Sequence, residues 1–312
     1  MSQQQFVRFL STIPQVQDFL SRVLEVNLDD YPKIEYDIVK CEKGTLDGLT
    51  NPTYTKEDFR DRKYNTDEKR LALQKLIVEE LFSLKILDKD DDICLGSGGA
   101  SPNEPKKEKQ AFILIGLPAS GKSSIATKIA QEYGAYILDS DFAKRKLPEY
   151  SNYDWGASIV HQESSMIVFG NKEVTGFDSL YSKVLSKREG HNIIIPTIGA
   201  NPDDVISRCE ELKKLGYNTH LTLVYLPKEK ATVRALMRFH KHKRYVPLSL
   251  IFDVYGNNPA LTYFMLKNRK KDCIDSYGII NTDVPMGNDY FCTDLDGENP
   301  ANLFVKEKNV LI

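Results

Sequence analysis

Residues 116–124 read GLPASGKSS and have the composition of a phosphate-binding loop. Gly116, Gly121, Lys122 and Ser123 occupy every fixed position of the pattern G-x-x-x-x-G-K-[ST]. In such a loop the backbone N–H groups point at phosphate oxygens, the lysine reaches the outer phosphates, and the serine hydroxyl ligates Mg²⁺. The competing interpretation is a chance match in a tight turn. The predicted nucleotide contacts are Gly116, Ala119, Ser120, Gly121, Lys122, Ser123 and Ser124.

The flanking segments favour the phosphate-binding interpretation. The apolar run AFILI precedes the loop, and SSIATKIAQ follows it with the composition of a helix that Gly134 ends. A strand before the loop and a helix after it are what phosphate binding at a helix N-terminus requires. We therefore predict that the loop binds a nucleotide.

A second short strand, AYILDSD, ends in two carboxylates, Asp139 and Asp141. Ligands bind at the carboxyl ends of parallel strands, and residues two apart in a strand point to the same side. One carboxylate could accept a proton from an attacking hydroxyl while the other, Asp139, holds Mg²⁺. The alternative for Asp139 is that it caps the next turn.

The segment KEKATVRALMRFHKHKR predicts a basic helix on which Arg234 and Arg238 share one face. Arginine suits the charge that spreads over a transferring phosphoryl group. The alternatives are a solvated basic face or a nucleic-acid patch. Nucleic acid is the less favoured of these because aromatic residues suited to base stacking are sparse there.

These residues need elements that position them. From residue 110 short strands alternate with helices, which predicts an α/β fold with a five-stranded parallel sheet flanked by helices. Residues 1–95 predict a mainly helical region, residues 96–109 a linker, and residues 110–312 a phosphate-loop domain whose tail forms a small strand pair. One helix is predicted after Thr66, with an apolar face of Leu71, Leu73, Leu76, Ile77, Leu81 and Leu84.

The composition excludes several classes of protein. The net charge of −2 over 312 residues gives no general attraction to nucleic acid or acidic membranes. No apolar run approaches the ~20 residues of a membrane span, and the start lacks a secretory signal pattern. Five scattered cysteines predict reduced thiols in a cytoplasmic protein. The acids of DKDDD lack the glycine and glutamate of a calcium loop, so a solvated loop is favoured.

Over about residues 110–255 the sequence resembles the zeta toxin family of P-loop kinases. The resemblance rests on GLPASGKSS, ILDSDFAKRKLPEY, GASIVHQESS and RFHKHKRYVP. It implies a kinase that uses ATP and Mg²⁺ to phosphorylate a sugar hydroxyl of UDP-N-acetylglucosamine. It also implies an antitoxin partner that masks the ATP site.

The resemblance assigns roles by position. Lys122 and Ser123 would hold phosphates and Mg²⁺, Asp141 would be the base, and Arg238 and Arg244 would stabilise the transition state. Glu163 falls in the family's H-x-E segment, either on the acceptor side or on the surface. The predicted acceptor-binding residues are Asp139, Asp141, Glu163, Thr197 and Arg234.

The third strand departs from the family pattern. Pro196 and Ala200 stand where better-studied members have a Glu and an Arg, leaving Thr197 and Asn201 as the polar groups. The acceptor therefore stays open between a nucleotide sugar, an NAD-like dinucleotide and a free sugar. A polynucleotide kinase and a non-catalytic ATP-binding module also stay open. Residues 1–95 either cover the ATP site in cis or support the kinase core.

Overall fold

The computed structural model describes residues 8–50, 52–170, 177–186, 190–269, 271–285 and 287–305. The described residues group into two compact units. The first unit draws on residues 1–103, 138–190 and 232–254, and the second on residues 104–137, 191–231 and 255–312. The units interleave along the chain, whereas the predicted domains 1–95 and 110–312 are consecutive. That domain division stays a prediction.

The second unit is built on a six-stranded sheet. Its strands are β1 (Gln110–Ile115), β2 (Tyr136–Ile137), β3 (Ile193–Thr197), β4 (Asn218–Tyr225), β5 (Ser276–Asn281) and β6 (Phe291–Asp296). They lie in the order β2-β3-β1-β4-β5-β6. The first five strands are mutually parallel, which confirms the predicted parallel sheet, and β6 adds an antiparallel edge.

The tail differs from its prediction. The sequence predicts a small strand pair within the tail itself, but β6 pairs with β5, and the chain then turns at Gly297 with φ 70°. A short 3₁₀ helix, Pro300–Phe304, follows in place of a second strand. Pro300 at the start of this helix explains the difference, because proline lacks the N–H that strand pairing needs.

Eleven α-helices occur in the described residues. They are α1 (Ile13–Asp18), α2 (Ile34–Thr50), α3 (Asp67–Ser83), α4 (Lys122–Tyr133), α5 (Ser140–Lys146), α6 (Gly156–Ile159), α7 (His161–Phe169), α8 (Leu180–Val184), α9 (Pro202–Lys214), α10 (Lys228–His242) and α11 (Asn258–Arg269). In the second unit α4, α9 and α11 pack against strands of the sheet. Residues 111–115 of β1 are all buried, as a central strand covered on both faces requires.

All five cysteines are free thiols, as predicted. No helix among the described residues has both the length and the apolar character needed to cross a membrane.

Helix α3 of the first unit begins as predicted but buries a different face. The Thr66 side chain accepts a hydrogen bond from Lys69 N at 3.4 Å, which confirms the predicted N-cap. However, Leu71 and Leu76 are 40% and 46% exposed. The buried residues are instead Arg70, Leu73, Gln74, Ile77, Val78 and Leu81. The helix is therefore turned so that two polar side chains, Arg70 and Gln74, point inward.

Arg70 is buried because it binds two buried carboxylates. Its Nε and Nη2 lie 2.6 Å from the two oxygens of Glu163, and its Nη1 lies 2.7 Å from Glu149 Oε1. All three side chains are at most 3% exposed. Gln74 Nε2 and Thr53 Oγ1 each donate a further hydrogen bond to Glu163 at 2.7 Å. We call these five residues the Arg70 cluster.

Replacing Arg70 by Met should destabilise the protein strongly. The Arg70→Met change leaves two buried carboxylates without a cation, so the free energy of unfolding should fall by about 3–5 kcal/mol. Urea unfolding followed by circular dichroism measures this. Arg22→Met is the matched control, since Arg22 is 81% exposed and pairs with the exposed Asp18. The control should lose at most about 0.5 kcal/mol, and an equally small loss in Arg70→Met would contradict the prediction.

Candidate functional site

The phosphate loop, residues 116–121, lies in the second unit between β1 and α4. Gly116 N donates to Ile198 O at 3.1 Å, and Ser120 N donates to Leu117 O at 3.1 Å. Ala119 and Gly121 have φ angles of 60° and 94°, in the left-handed region. A backbone that alternates into this region points successive N–H groups toward one concave side, which is an anion-binding arrangement.

Both glycines of the loop motif are required by close approach. A Cβ atom on Gly116 would lie 2.6 Å from Val224 O, which is shorter than real contacts allow. A Cβ on Gly121 would lie 3.1 Å from the Tyr290 hydroxyl and would also be strained by the positive φ. The loop therefore holds a shape that other residues at these positions would disturb.

Lys122 opens helix α4 and folds back over the loop. Its Nζ donates to Gly116 O and to Leu117 O, both at 2.7 Å. Phosphate oxygens are charged acceptors and form stronger hydrogen bonds to an ammonium than neutral carbonyls do. Ser123 and Ser124 are exposed in the first turn of α4, where helix N–H groups lack intrahelical partners. Binding of a triphosphate and its cation by these residues stays a prediction.

Two contacts of the phosphate loop were not predicted from the sequence. Thr282, just after β5, donates its hydroxyl to Ser120 O at 2.8 Å, and Tyr290 packs against Gly121. The Ser120 hydroxyl itself is buried and has no hydrogen-bond partner among the described residues. Such an atom fits a loop that takes a polar ligand. The sequence feature that could have identified Thr282 is its position just after a strand parallel to β1.

Thr197 lies beside the phosphate loop in the second unit. It pairs in register with Ile115, the residue before Gly116, and it is exposed. Asn201, the other polar group considered on this segment, caps α9 by accepting a hydrogen bond from Asp203 N at 3.0 Å. Acceptor binding by Thr197 stays a prediction.

Asp139 and Asp141 lie in the first unit and do not extend the strand as expected. β2 ends at Ile137, and Asp139 is the N-cap of α5, with Oδ1 accepting from Asp141 N at 2.9 Å. Asp141 therefore stands in the first turn of a helix, because the carboxylate of Asp139 starts that helix. The capping alternative holds for Asp139, and its role in binding Mg²⁺ stays a prediction.

Asp141 is held ionised by neighbouring cations. Lys144 Nζ lies 2.7 Å from Asp141 Oδ1, and the Asp141 side chain is 47% exposed. The Lys144 ammonium, with the charges of Arg145 and Arg238, holds the pKa of Asp141 well below its ordinary value. Burial and the charge of Asp141 raise the pKa of Asp139. The environment thus moves the pKa values of the two carboxylates apart, and the role of Asp141 as the base stays a prediction.

The three predicted arginines have different surroundings within the first unit. Arg238 on α10 has a buried Nε without a hydrogen bond among the described residues. Arg234 is half-buried one turn earlier. Arg244, beyond the helix, forms an ion pair with Asp91 and lies 5.5 Å from the centre of the Tyr150 ring. The Asp91 contact was missed because the acids of DKDDD were weighed as a solvated loop.

Glu163 is an internal member of the Arg70 cluster. It is fully buried, so the predicted surface alternative does not hold. Burial alone would raise its pKa, but the hydrogen bonds and charge of Arg70 hold that pKa below its ordinary value. Its oxygens already accept hydrogen bonds from Arg70, Gln74 and Thr53. A contact from Glu163 to an acceptor stays a prediction.

No group of three or more His, Cys, Asp or Glu side chains in the described ranges could hold a metal ion. Mg²⁺ in nucleotide sites takes one or two protein ligands and completes its shell with phosphates and water. The exposed Ser123 hydroxyl, next to the loop, fits that limited contribution.

Comparisons with known proteins agree with this geometry. A family model described as Zeta toxin matches residues 98–268. Toxin zeta of Enterococcus hirae is 27% identical over 164 residues, which cover 51% of this chain and 52% of that protein. Shikimate kinase of Rhodococcus erythropolis is 27% identical over 177 residues, 53% of this chain and 99% of that protein. The chain thus spans about half the length of the toxin relatives it matches.

A solved structure shows the same fold. It comes from a study of the PezAT chromosomal toxin–antitoxin system of Streptococcus pneumoniae. The TM-score is 0.53 at 16% identity, and the match covers 79% of this chain and 88% of that one.

Replacing Gly121 by Ala should impair nucleotide binding specifically. The Cβ would strain the backbone and press on Tyr290, so ATP affinity measured by calorimetry should fall about tenfold or more. Gly287→Ala is the matched control, because Gly287 has φ 87° and no described atom within 4 Å of its Cβ. Both variants should lose similar stability, of about 1 kcal/mol. Equal ATP affinity in the two variants would contradict the proposed role of the loop.

Proposed function

The chain belongs to the zeta toxin family, and from this premise we propose that it is an ATP-dependent kinase acting on a hydroxyl group of a nucleotide sugar. UDP-N-acetylglucosamine is the leading acceptor. The observation that carries the proposal is the phosphate loop, in which Lys122 Nζ hydrogen-bonds two loop carbonyls at 2.7 Å beside the N-terminus of α4. ATP phosphates would replace those carbonyls as acceptors for the ammonium.

In the proposed reaction the protein mainly positions groups and stabilises charge. Asp141 accepts the proton of the attacking hydroxyl, and Arg238 and Arg244 stabilise the charge on the transferring phosphoryl group. The pKa of Asp141 lies well below its ordinary value, which makes it a weak base. A weak base suffices because the hydroxyl loses its proton late when the transition state is loose. Mg²⁺, held by Ser123 and the phosphates, would neutralise part of the phosphate charge.

The acceptor is the least constrained part of the proposal. Pro196 on β3 replaces the glutamate of the family pattern, and Thr197 is the polar side chain that remains at that strand end. An NAD-like dinucleotide and a free sugar are alternative acceptors. A polynucleotide acceptor would instead show binding that falls steeply with salt. A chain that binds ATP without turnover is the remaining alternative.

A protein partner is part of the proposal. The similar solved structure comes from a toxin–antitoxin system, and for this chain we propose an antitoxin in trans or cover by residues 1–95 in cis. The ion pairs of Arg70 with Glu149 and Glu163 within the first unit favour the supporting alternative for α3. Deleting residues 1–95 would remove Arg70 and leave the buried carboxylates of Glu149 and Glu163 without their cation. Because the truncated protein would then lose stability as well as any cover, point substitutions test masking better than truncation does.

A screen of acceptors tests the kinase proposal. The protein is incubated with ATP, Mg²⁺ and a mixture of nucleotide sugars, dinucleotides and sugars, and mass spectrometry detects the gain of one phosphoryl group. We expect Lys122→Ala and Asp141→Asn each to reduce the rate by about 10² or more. The exposed Lys214 and Asp204 supply the matched controls Lys214→Ala and Asp204→Asn. Phosphoryl transfer that survives both site variants would place the reaction elsewhere.

Removing Lys144 should change the pH dependence of the reaction. Without its ammonium the pKa of Asp141 should rise from its lowered position toward the ordinary value of an aspartate. Since Asp141 acts when ionised, kcat/KM of Lys144→Ala should fall as pH drops through that raised pKa, while the parent protein keeps its rate. Profiles between pH 4 and 8 measure this, with the exposed Lys75→Ala as control. Identical acid limbs in parent and Lys144→Ala would contradict the assigned base.

A further inference from the structure

An acidic turn of the first unit binds two arginines that lie far away in the sequence. Residues Asp90–Asp92 form a 3₁₀ helix. Asp90 Oδ2 accepts a hydrogen bond from Arg145 Nη2 at 2.8 Å, and Asp91 forms an ion pair with Arg244. Asp91 Oδ1 also lies 3.6 Å from Arg145 Nη2. Two carboxylates thus balance two guanidinium groups.

A cavity of about 190 Å³ lies beside these pairs. Its lining includes Arg145, Arg244, Tyr150, Ser151 and the two acids Asp91 and Asp92. The volume is more than ten times the ~10–15 Å³ that one water molecule needs. The cavity is therefore large enough for a group of several atoms.

The arginines of this cavity have unused hydrogen-bond donors. Arg145 has a side chain only 4% exposed, yet its Nε and Nη1 make no hydrogen bond within the described part of the chain. Arg244 Nε is likewise buried without such a bond. Buried donors are nearly always paired in proteins, so three unpaired guanidinium nitrogens indicate that the two carboxylates do not supply enough acceptors.

We propose that this cavity is a subsite for a phosphate group of the nucleotide substrates, and that Asp90 and Asp91 act there as an internal competitor. A phosphate group offers more acceptor oxygens than the turn does and can bind guanidinium groups in the bidentate manner. A dianionic phosphate also carries the charge of the two carboxylates it displaces, so the exchange leaves the net charge at the arginines unchanged. The inference rests on the proposed function, because Arg244 is one of the arginines assigned to phosphate contact.

The competitor lowers the apparent affinity for phosphates. If the acidic turn occupies the arginines about nine-tenths of the time, the apparent dissociation constant of a phosphate ligand is about tenfold weaker than the intrinsic one. A partner or condition that moves the turn away would then activate the site. The acidic turn Asp90–Asp92 thereby regulates the kinase without contributing a group to the chemistry.

Binding of inorganic pyrophosphate tests the subsite without requiring turnover. Calorimetry is done in the Lys122→Ala background, so that the phosphate loop contributes little. Adding Asp91→Asn should tighten binding about tenfold. The matched control Asp88→Asn removes an exposed acid two residues before the turn and should leave binding unchanged. Adding Arg244→Ala to Asp91→Asn should abolish the gain.

The opposite results overturn the proposal. Pyrophosphate binding that is unchanged or weaker in Asp91→Asn, or equally tightened by Asp88→Asn, would show that the turn does not compete at the arginines. Because binding is measured without an acceptor, a kinase screen that finds no product leaves this result interpretable. The two proposals can therefore fail separately.

A second measurement uses the unmodified chain, in case the variants fold poorly. Asp92 N and Ile93 N donate backbone hydrogen bonds to Lys89 O and Asp90 O within the turn. Saturating pyrophosphate should displace the turn and speed hydrogen exchange of these amides by several-fold. Exchange that stays the same or slows at saturation would overturn the competitor role.

Discussion

The first unit depends on a single buried guanidinium group that serves two carboxylates. Arg70 on α3 binds Glu149 and Glu163, which lie 79 and 93 residues further along the chain. Two negative charges and one positive charge would leave the cluster under-neutralised. The donors of Gln74 and Thr53 and the backbone N–H of Asp61, 2.7 Å from Glu149 Oε1, supply the remaining stabilisation. Desolvation makes such a cluster a poor source of net stability, but a strong constraint on which helices pack together.

The second unit depends on backbone geometry more than on charge. The phosphate loop keeps Ala119 and Gly121 in the left-handed region because neighbouring groups fix the backbone on either side. Gly116 N is bonded to Ile198 O, and Ser120 O accepts from Thr282. Both partners follow strands parallel to β1, so the sheet itself fixes the loop. Preorganised amide groups of this kind can bind phosphates without reorganisation of the protein.

Features that depend on neighbouring residues could be predicted from the sequence, whereas features that depend on residues remote in the chain could not. The phosphate loop, the Thr66 cap and the parallel strands follow from neighbouring residues, and all three are present. The exposed Leu71 and the buried Arg70 could not be foreseen, because the carboxylates that draw Arg70 inward are remote in sequence. The ion pair between Asp91 and Arg244 joins residues 153 apart in the sequence, and it could not be predicted for the same reason. Asp141 was placed in a strand because two local preferences competed, and capping by Asp139 prevailed.

The groups assigned to the reaction share a property that bears on specificity. Lys122 binds loop carbonyls, Asp141 binds Lys144, and Arg244 binds Asp91. Under the proposed function, a phosphate group that binds either Lys122 or Arg244 would gain only the difference between its own contacts and the internal contacts it replaces. A ligand with few charged oxygens therefore gains little, whereas a triphosphate can replace several internal partners at once. Internal pairing of this kind selects for highly charged ligands, because each replaced partner favours the ligand that offers the stronger acceptor.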